Sequence, residues 1–265
     1  MEESKPGPTP YDGVNDILAV LLANIWDVLG EEFVGMYLYG SLSSGDFDPY
    51  TSDIDFLVVT EGLLPDETVE ALGAMHARVT PGPQAGVRDL EGCYIPRAEM
   101  RRYDPGGAPY PIFHEGQTTL GRHGSDWMIQ CHILREHGVV VAGPSPREMI
   151  DPVSPDDLRR GATDVLQGWW VEQADHPDWL REKTVLQVFT VQTMCRALYT
   201  LRHGDILSKP AAIRWGMAAL DPPWSALASQ ASTWKEGMPF APLDETLAFI
   251  RYAVGKSGDQ TAKTS

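Results

Sequence analysis

Apolar residues recur at helical spacing from Asp16 to Leu29. Ile17, Val20, Leu21, Ile25 and Val28 follow a 3.6-residue repeat, and Gly30 stops it. Phe33 to Tyr39 then reads as a strand ended by Gly40-Ser41, and Ile54 to Val59 as a second, strongly apolar strand. Pro65-Asp66-Glu67 opens a helix that runs to about Arg78, with acids at its positive end. Val87 to Ile95 predicts a third strand, Asp126 to His137 a helix, and Val139 to Ala142 a short strand. A linker rich in Gly, Pro and Ser follows from Gly143. Within it Ser154, Pro155, Asp156 and Asp157 make a helix start: a cap, a proline at the first helical position, then acids. Beyond that point only helical patterns remain, over about 156–174, 179–203, 208–220, 223–236 and 243–255. The expected fold is an α/β (α+β) N-terminal domain with a short mixed sheet, residues 11–153, followed by an all-α helical bundle, residues 154–256. Residues 1–10 and 257–265 read as flexible tails.

Charge narrows the function. The 265 residues carry a net charge of −16. Residues 1–150 hold 23 of the 37 acidic and 9 of the 21 basic side chains, a net of −14. A nucleic-acid binder needs a basic stripe to neutralise phosphates, and this chain has the reverse. An acidic surface attracts cations: divalent metals or polyamine-like ligands. Three scattered cysteines, Cys93, Cys131 and Cys195, form no CxxC pair, and the seven histidines show no HxxxH or HExxH pattern, so zinc is not expected. No stretch approaches the roughly 20 continuous apolar residues that span a bilayer. The polar, Pro-rich start lacks the layout of a signal peptide, so the expected place is the cytoplasm, without a membrane partner.

The chemistry concentrates in Tyr39-Gly40-Ser41-Leu42-Ser43-Ser44-Gly45-Asp46-Phe47-Asp48-Pro49-Tyr50-Thr51-Ser52-Asp53-Ile54-Asp55. Alternate residues of a strand share a face, so Asp53 and Asp55 project together while Ile54 and Phe56 face the core. Two carboxylates side by side repel unless a cation lies between them. Magnesium suits: it takes oxygen ligands and keeps positions for substrate phosphates. Two such ions would organise a triphosphate, activate an attacking hydroxyl and stabilise leaving pyrophosphate. Gly40 lets the backbone approach phosphate, and Ser41 offers an N–H and a hydroxyl. Glu91, on the third strand, is a candidate third ligand or general base, and Asp89, on the same strand face, is its rival.

This arrangement resembles the DNA polymerase beta-like nucleotidyltransferases. The rest of the chain is similar to one branch of them, the bacterial aminoglycoside adenylyltransferases that act on streptomycin and spectinomycin. That second resemblance rests on Leu134-Arg135-Glu136-His137 with Gly143-Pro144, on Asp151-Pro152-Val153 and Pro177-Asp178-Trp179, and on Arg196, Gly204, Ile206 and Lys209 ahead of Trp215. It implies that Asp53 and Asp55, with Glu91, serve two magnesium ions, and that Glu91 is the catalytic base. Gly40, Ser41 and Ser52 would hold the triphosphate of ATP, with Arg196, Lys209 and Tyr252 reaching the nucleotide from the helical domain. Asp126, Asp178, Glu115 and one of Trp169 and Trp170 would hold a small cationic acceptor, an aminoglycoside.

Two features depart from that branch. In Phe113-His114-Glu115-Gly116-Gln117 the streptomycin enzymes carry a tryptophan that packs on the drug, and here the position is Gly116. The spacing from Trp179 to Arg196 is about four residues longer. Two other readings therefore stand beside antibiotic adenylylation: nucleotidylation of another small molecule or a protein side chain, and a catalytically inactive nucleotide-binding module. The presence of Ser41, Asp53, Asp55 and Glu91 together weighs against the last.

Overall fold

The computed structural model describes residues 7–49, 52–79, 90–114 and 116–264. Asp89 and Glu115, named above, lie outside the described residues. The chain forms two compact units. One comprises residues up to His123 together with Gln130–Pro152; the other comprises Gly124–Ile129 and the chain from Val153 onward. Asp126 is therefore grouped with the helical unit.

In the first unit, helix α1 (Asp12–Leu29) buries Val14, Leu18, Leu21, Ile25 and Leu29, a row at three- and four-residue spacing. These side chains share a core with Met36, Leu38, Ile54, Phe56 and Val58. Each such side chain, fully buried, contributes roughly 1.5–3 kcal/mol. Among the described residues one helical stretch, Asp12–Glu32, which is α1 with the turn after it, is long and apolar enough to cross a membrane by length and composition. Asp12, Asp16, Asn24 and Asp27 break that run without lowering its average enough. In the structure its apolar row lies in the core of this unit.

Strand β1 (Phe33–Leu38) leads into a one-turn helix, α2 (Gly40–Ser44), and strand β2 (Ile54–Thr60) follows the intervening loop. Helix α3 (Asp66–Val79), β3 (Leu90–Pro96), a helical turn α4 (Arg97–Met100), the hairpin β4 (Tyr110–His114) and β5 (Gln117–Gly121), helix α5 (Trp127–His137), β6 (Val139–Ala142) and the turn α6 (Pro146–Met149) complete the series. The sheet order is β5-β4-β3-β2-β1-β6. Among the described residues only β2 and β3 run parallel; the other pairs are antiparallel. The hairpin was not anticipated from sequence. Pro111 lies in β4 and β5 is largely exposed, so neither carries the apolar alternation that marks a strand.

The second unit is helical throughout. Helix α7 (Pro155–Val165) opens on the expected cap, where Ser154 and Asp157 form a reciprocal capping box. It continues through a π-helical turn (Leu166–Trp170) into α8 (Val171–Asp175) and α9 (Asp178–Glu182). Helices α10 (Thr184–His203), α11 (Lys209–Ala219), α12 (Trp224–Thr233) and α13 (Leu243–Thr264) follow. Their core is built on Leu166, Trp170, Val191, Met194, Leu227 and Phe249. Helix α13 extends past Lys256 to Thr264, and the Thr9 hydroxyl donates to Asn15 Oδ1 at 2.8 Å.

Candidate active site

The site in the first unit begins where β1 ends. Tyr39 is extended, and its N–H donates to the Asp55 carbonyl at 3.2 Å. Gly40 then turns with φ of 62°, a left-handed conformation that L side chains rarely adopt. A Cβ at this position would overlap Asp55 Oδ2 and stand 2.8 Å from Asp55 Cγ. The absence of a side chain is what lets the Gly-Ser turn lie against the carboxylate.

The loop that follows is anchored at several points. Ser43 Oγ donates to the Gly40 carbonyl at 2.9 Å. The buried Phe47 ring lies 5.0 Å from Tyr11, whose hydroxyl donates to the Phe47 carbonyl. Ser52 Oγ accepts from the Asp48 N–H at 3.1 Å, and the Ser52 N–H returns to the Asp48 carbonyl at 2.9 Å. These bonds settle the chain just before Asp53.

Around β2 burial alternates as expected. Ile54 and Phe56 are fully buried, while Asp53 and Asp55 are half-buried. In the parallel register of β2 and β3, Asp55 is the partner of Glu91. Partners in register on neighbouring strands point to one face at close range. Two acidic side chains, one from each strand, therefore stand side by side. Glu91 Oε1 in turn lies 2.9 Å from His114 Nδ1, at the end of β4.

No group of three His, Cys, Asp or Glu side chains arranged to hold a metal ion occurs among the described residues. Strand register brings Asp55 and Glu91 side by side, Asp53 lies two residues before Asp55, and one oxygen of Glu91 is engaged by His114. The pair Asp53 and Asp55 still fits magnesium, which is usually held by one or two carboxylates and completed by substrate phosphates and water.

The remaining expected residues lie in the helical unit. Arg196, on α10, donates from Nε to the Leu207 carbonyl at 3.0 Å, and burial holds its guanidinium below the ordinary value. Among the described residues this half-buried cation has no carboxylate partner. Lys209 is the first residue of α11, behind the Ser208 cap, and its Nζ lies 4.8 Å from the centre of the Phe189 ring. Tyr252 packs 5.1 Å from Trp224, with Lys256 Nζ 5.4 Å from its ring.

The two adjacent tryptophans have separate fates. Trp170 is 2% exposed and sits in the helical core, so it is not available to a ligand. Trp169 is 44% exposed and meets Trp179 edge-on at 5.5 Å. Both lie in the π-helical turn Leu166–Trp170, where successive side chains point in different directions. Asp178 is exposed at the start of α9, next to Trp179. Asp126 is half-buried, and burial raises its carboxyl above the ordinary value. His114 was not singled out from sequence, because its link to Glu91 exists only through strand pairing.

A mixed sheet with Gly-Ser at the end of one strand and Asp-Ile-Asp entering the next defines a nucleotidyltransferase. The Nucleotidyltransferase domain profile matches residues 22–81, and the profile for the Aminoglycoside adenylyltransferase, C-terminal domain, matches residues 148–254. The chain is an aminoglycoside adenylyltransferase-like nucleotidyltransferase, homologous to the aminoglycoside (3'')(9) and spectinomycin adenylyltransferases. It is 26% identical over 241 residues to an aminoglycoside (3'')(9) adenylyltransferase of Klebsiella pneumoniae, covering 84% of this chain and 87% of that one. It is 27% identical over 206 residues to a spectinomycin 9-adenylyltransferase of Staphylococcus aureus, covering 73% and 74%. Its fold matches that of the spectinomycin adenyltransferase AAD(9) from Enterococcus faecialis, solved with ATP and spectinomycin. That match has a TM-score of 0.71 and 19% identity over 92% of this chain and 98% of the other.

Proposed function

We propose that this protein transfers AMP from ATP to a hydroxyl of a small cationic acceptor, an aminoglycoside such as streptomycin or spectinomycin, and so inactivates it. The observation that carries this reading is the register pair Asp55 and Glu91 beside the Gly40 turn. It would supply a metal-binding carboxylate and a proton acceptor at adjacent positions of one sheet face. Relatives that modify these drugs, and a fold neighbour solved with ATP and spectinomycin, support the same acceptor class.

Asp53 and Asp55 would hold magnesium, which offsets charge on the triphosphate and on the departing pyrophosphate. The backbone at Gly40 and Ser41 and the Ser52 hydroxyl would bind phosphate oxygens. Arg196 and Lys209 would add charge-assisted hydrogen bonds to the nucleotide, and Tyr252 a ring contact. Glu91 takes the proton of the acceptor hydroxyl. The hydroxyl oxygen then attacks the α-phosphorus, the bond from that phosphorus to the bridging oxygen breaks, and pyrophosphate leaves with its electron pair. The residues act mainly by positioning and by neutralising charge. Asp126, Asp178 and Trp169 would receive the cationic acceptor, and the acidic surface would draw it in. Such an enzyme acts where ATP is supplied, in the cytoplasm.

The test is pyrophosphate release from ATP and magnesium with and without streptomycin, spectinomycin and other aminoglycosides. Release that depends on one drug, with the mass of an added AMP on that drug, is the expected result. Tight magnesium-dependent ATP binding without release for any drug would move the acceptor to another metabolite or a protein. Gly116, at φ of 73°, favours that second reading, because the position lacks the ring that packs on streptomycin.

A further inference from the structure

We propose that His114 is the positioning residue of the transfer step: it orients the Glu91 carboxylate by a hydrogen bond from Nδ1. The inference rests on the reading of Glu91 as the base. Asp55, Glu91 and His114 form a row across three neighbouring strands. Asp55 and Glu91 are partners between β2 and β3, and the β3–β4 pairing Gly92 with Phe113 and Cys93 with Ile112 brings His114 opposite Glu91 one step further on. The imidazole Nδ1 lies 2.9 Å from Glu91 Oε1. His114 is itself fixed by strand pairing, since it is the partner of Gln117 in the β4–β5 hairpin.

The chemistry requires such a partner. A glutamate side chain has three rotors and no preferred aim, whereas a base must present one oxygen to one proton within hydrogen-bond reach. A donor on Oε1 selects one orientation of the carboxylate. An imidazole donates from Nδ1 in its neutral form, so it orients the group without removing its charge. The pair contributes little to folding: the His114 side chain is 59% exposed, and exposed pairs are worth little. Its geometry therefore matters for the reaction and not for stability.

Two measurements on the full chain decide the matter. The first needs no acceptor. In the protein without nucleotide, nitrogen NMR of the imidazole should find His114 protonated on Nδ1, and in Glu91→Ala the common Nε2-protonated tautomer should return. Protonation on Nε2 in the unsubstituted protein would overturn the proposal. The second is drug-dependent pyrophosphate release. His114→Ala should lower kcat roughly 10-fold, the low end of the loss when a partner that orients a reacting group is removed. KM for ATP and melting temperature should stay unchanged. His114→Asn, whose amide nitrogen can replace Nδ1, should recover most of the rate. A normal kcat in His114→Ala, with Glu91→Gln inactive, overturns the role of His114 and leaves the base in place. Failure of Asn to outperform Ala, or a change confined to acceptor KM, also overturns it. An active Glu91→Gln overturns the base and this proposal together.

Discussion

Gly40 and Asp55 are in such close approach that a single methyl group between them would overlap the carboxylate. The turn that follows β1 and the acid on β2 are therefore one structural unit. Gly40→Ala should displace the Asp55 carboxylate and strain a backbone held at φ of 62°. Misplacement of about 1 Å in such a site costs on the order of 100-fold in rate. We expect kcat/KM to fall by roughly that factor, with far-ultraviolet circular dichroism unchanged. Near-normal turnover would separate Asp55 from the metal.

Trp169 and Trp170 are neighbours in sequence with opposite environments. Trp170→Ala should destabilise the helical unit by about 3–5 kcal/mol, the cost of emptying a large core site. Trp169→Ala should leave the melting temperature nearly unchanged and raise KM for the drug several-fold. Denaturant melts and acceptor kinetics on both variants check this, and the reverse outcome would exchange their roles.

Asp126 carries a carboxyl whose affinity for protons is raised by burial. The fold thus binds that proton more tightly than the unfolded chain does. Stability from this group is present below the ordinary carboxylate pKa and is lost as pH rises from there through the raised value in the folded protein. Asp126→Asn should melt higher than the parent at pH 7, and the gap should close at low pH. If Asp126 meets a cationic acceptor, the same variant should bind it more weakly. Higher stability without weaker binding would remove Asp126 from the acceptor site.

His76 is fully buried, stacked 3.8 Å from Phe113 and hydrogen-bonded to the Tyr94 hydroxyl at 2.6 Å. Burial lowers its pKa from 6.5 to about 4, and that of His123 likewise. Protons therefore prefer the unfolded chain, and stability should fall as pH drops from about 6.5 toward 4. His76→Phe should flatten that slope. At neutral pH it should lose about 1–3 kcal/mol, because the Tyr94 hydroxyl loses its partner. An unchanged slope would assign the acid loss to other groups.

Much of this was readable from the chain itself, for local reasons. Strand β2 carries Ile54, Phe56 and Val58 at alternate positions, and β1 ends at a Gly-Ser turn. Both signals lie within a few residues, as does the cap at Ser154 that opens α7. Local spacing alone therefore puts Asp53 and Asp55, at alternate positions leading into β2, on one face. The hairpin of β4 and β5 was not legible, since short exposed strands carry no periodic signal and are stabilised by their neighbours in the sheet.

What the sequence determined by itself is the inventory and its local order: the Gly-Ser turn, the Asp-Ile-Asp strand, an acid some residues downstream, and helices after Ser154. The tertiary structure decided which groups meet. Glu91 faces Asp55 because β3 runs parallel to β2 in one particular register, and His114 reaches Glu91 because β4 pairs on its other side. Trp170 enters the core and Trp169 does not, because neighbouring helical residues point in different directions and packing decides which one is buried. Register and helical phase are set by packing many residues away, and a shift of one position would move each side chain to the other face.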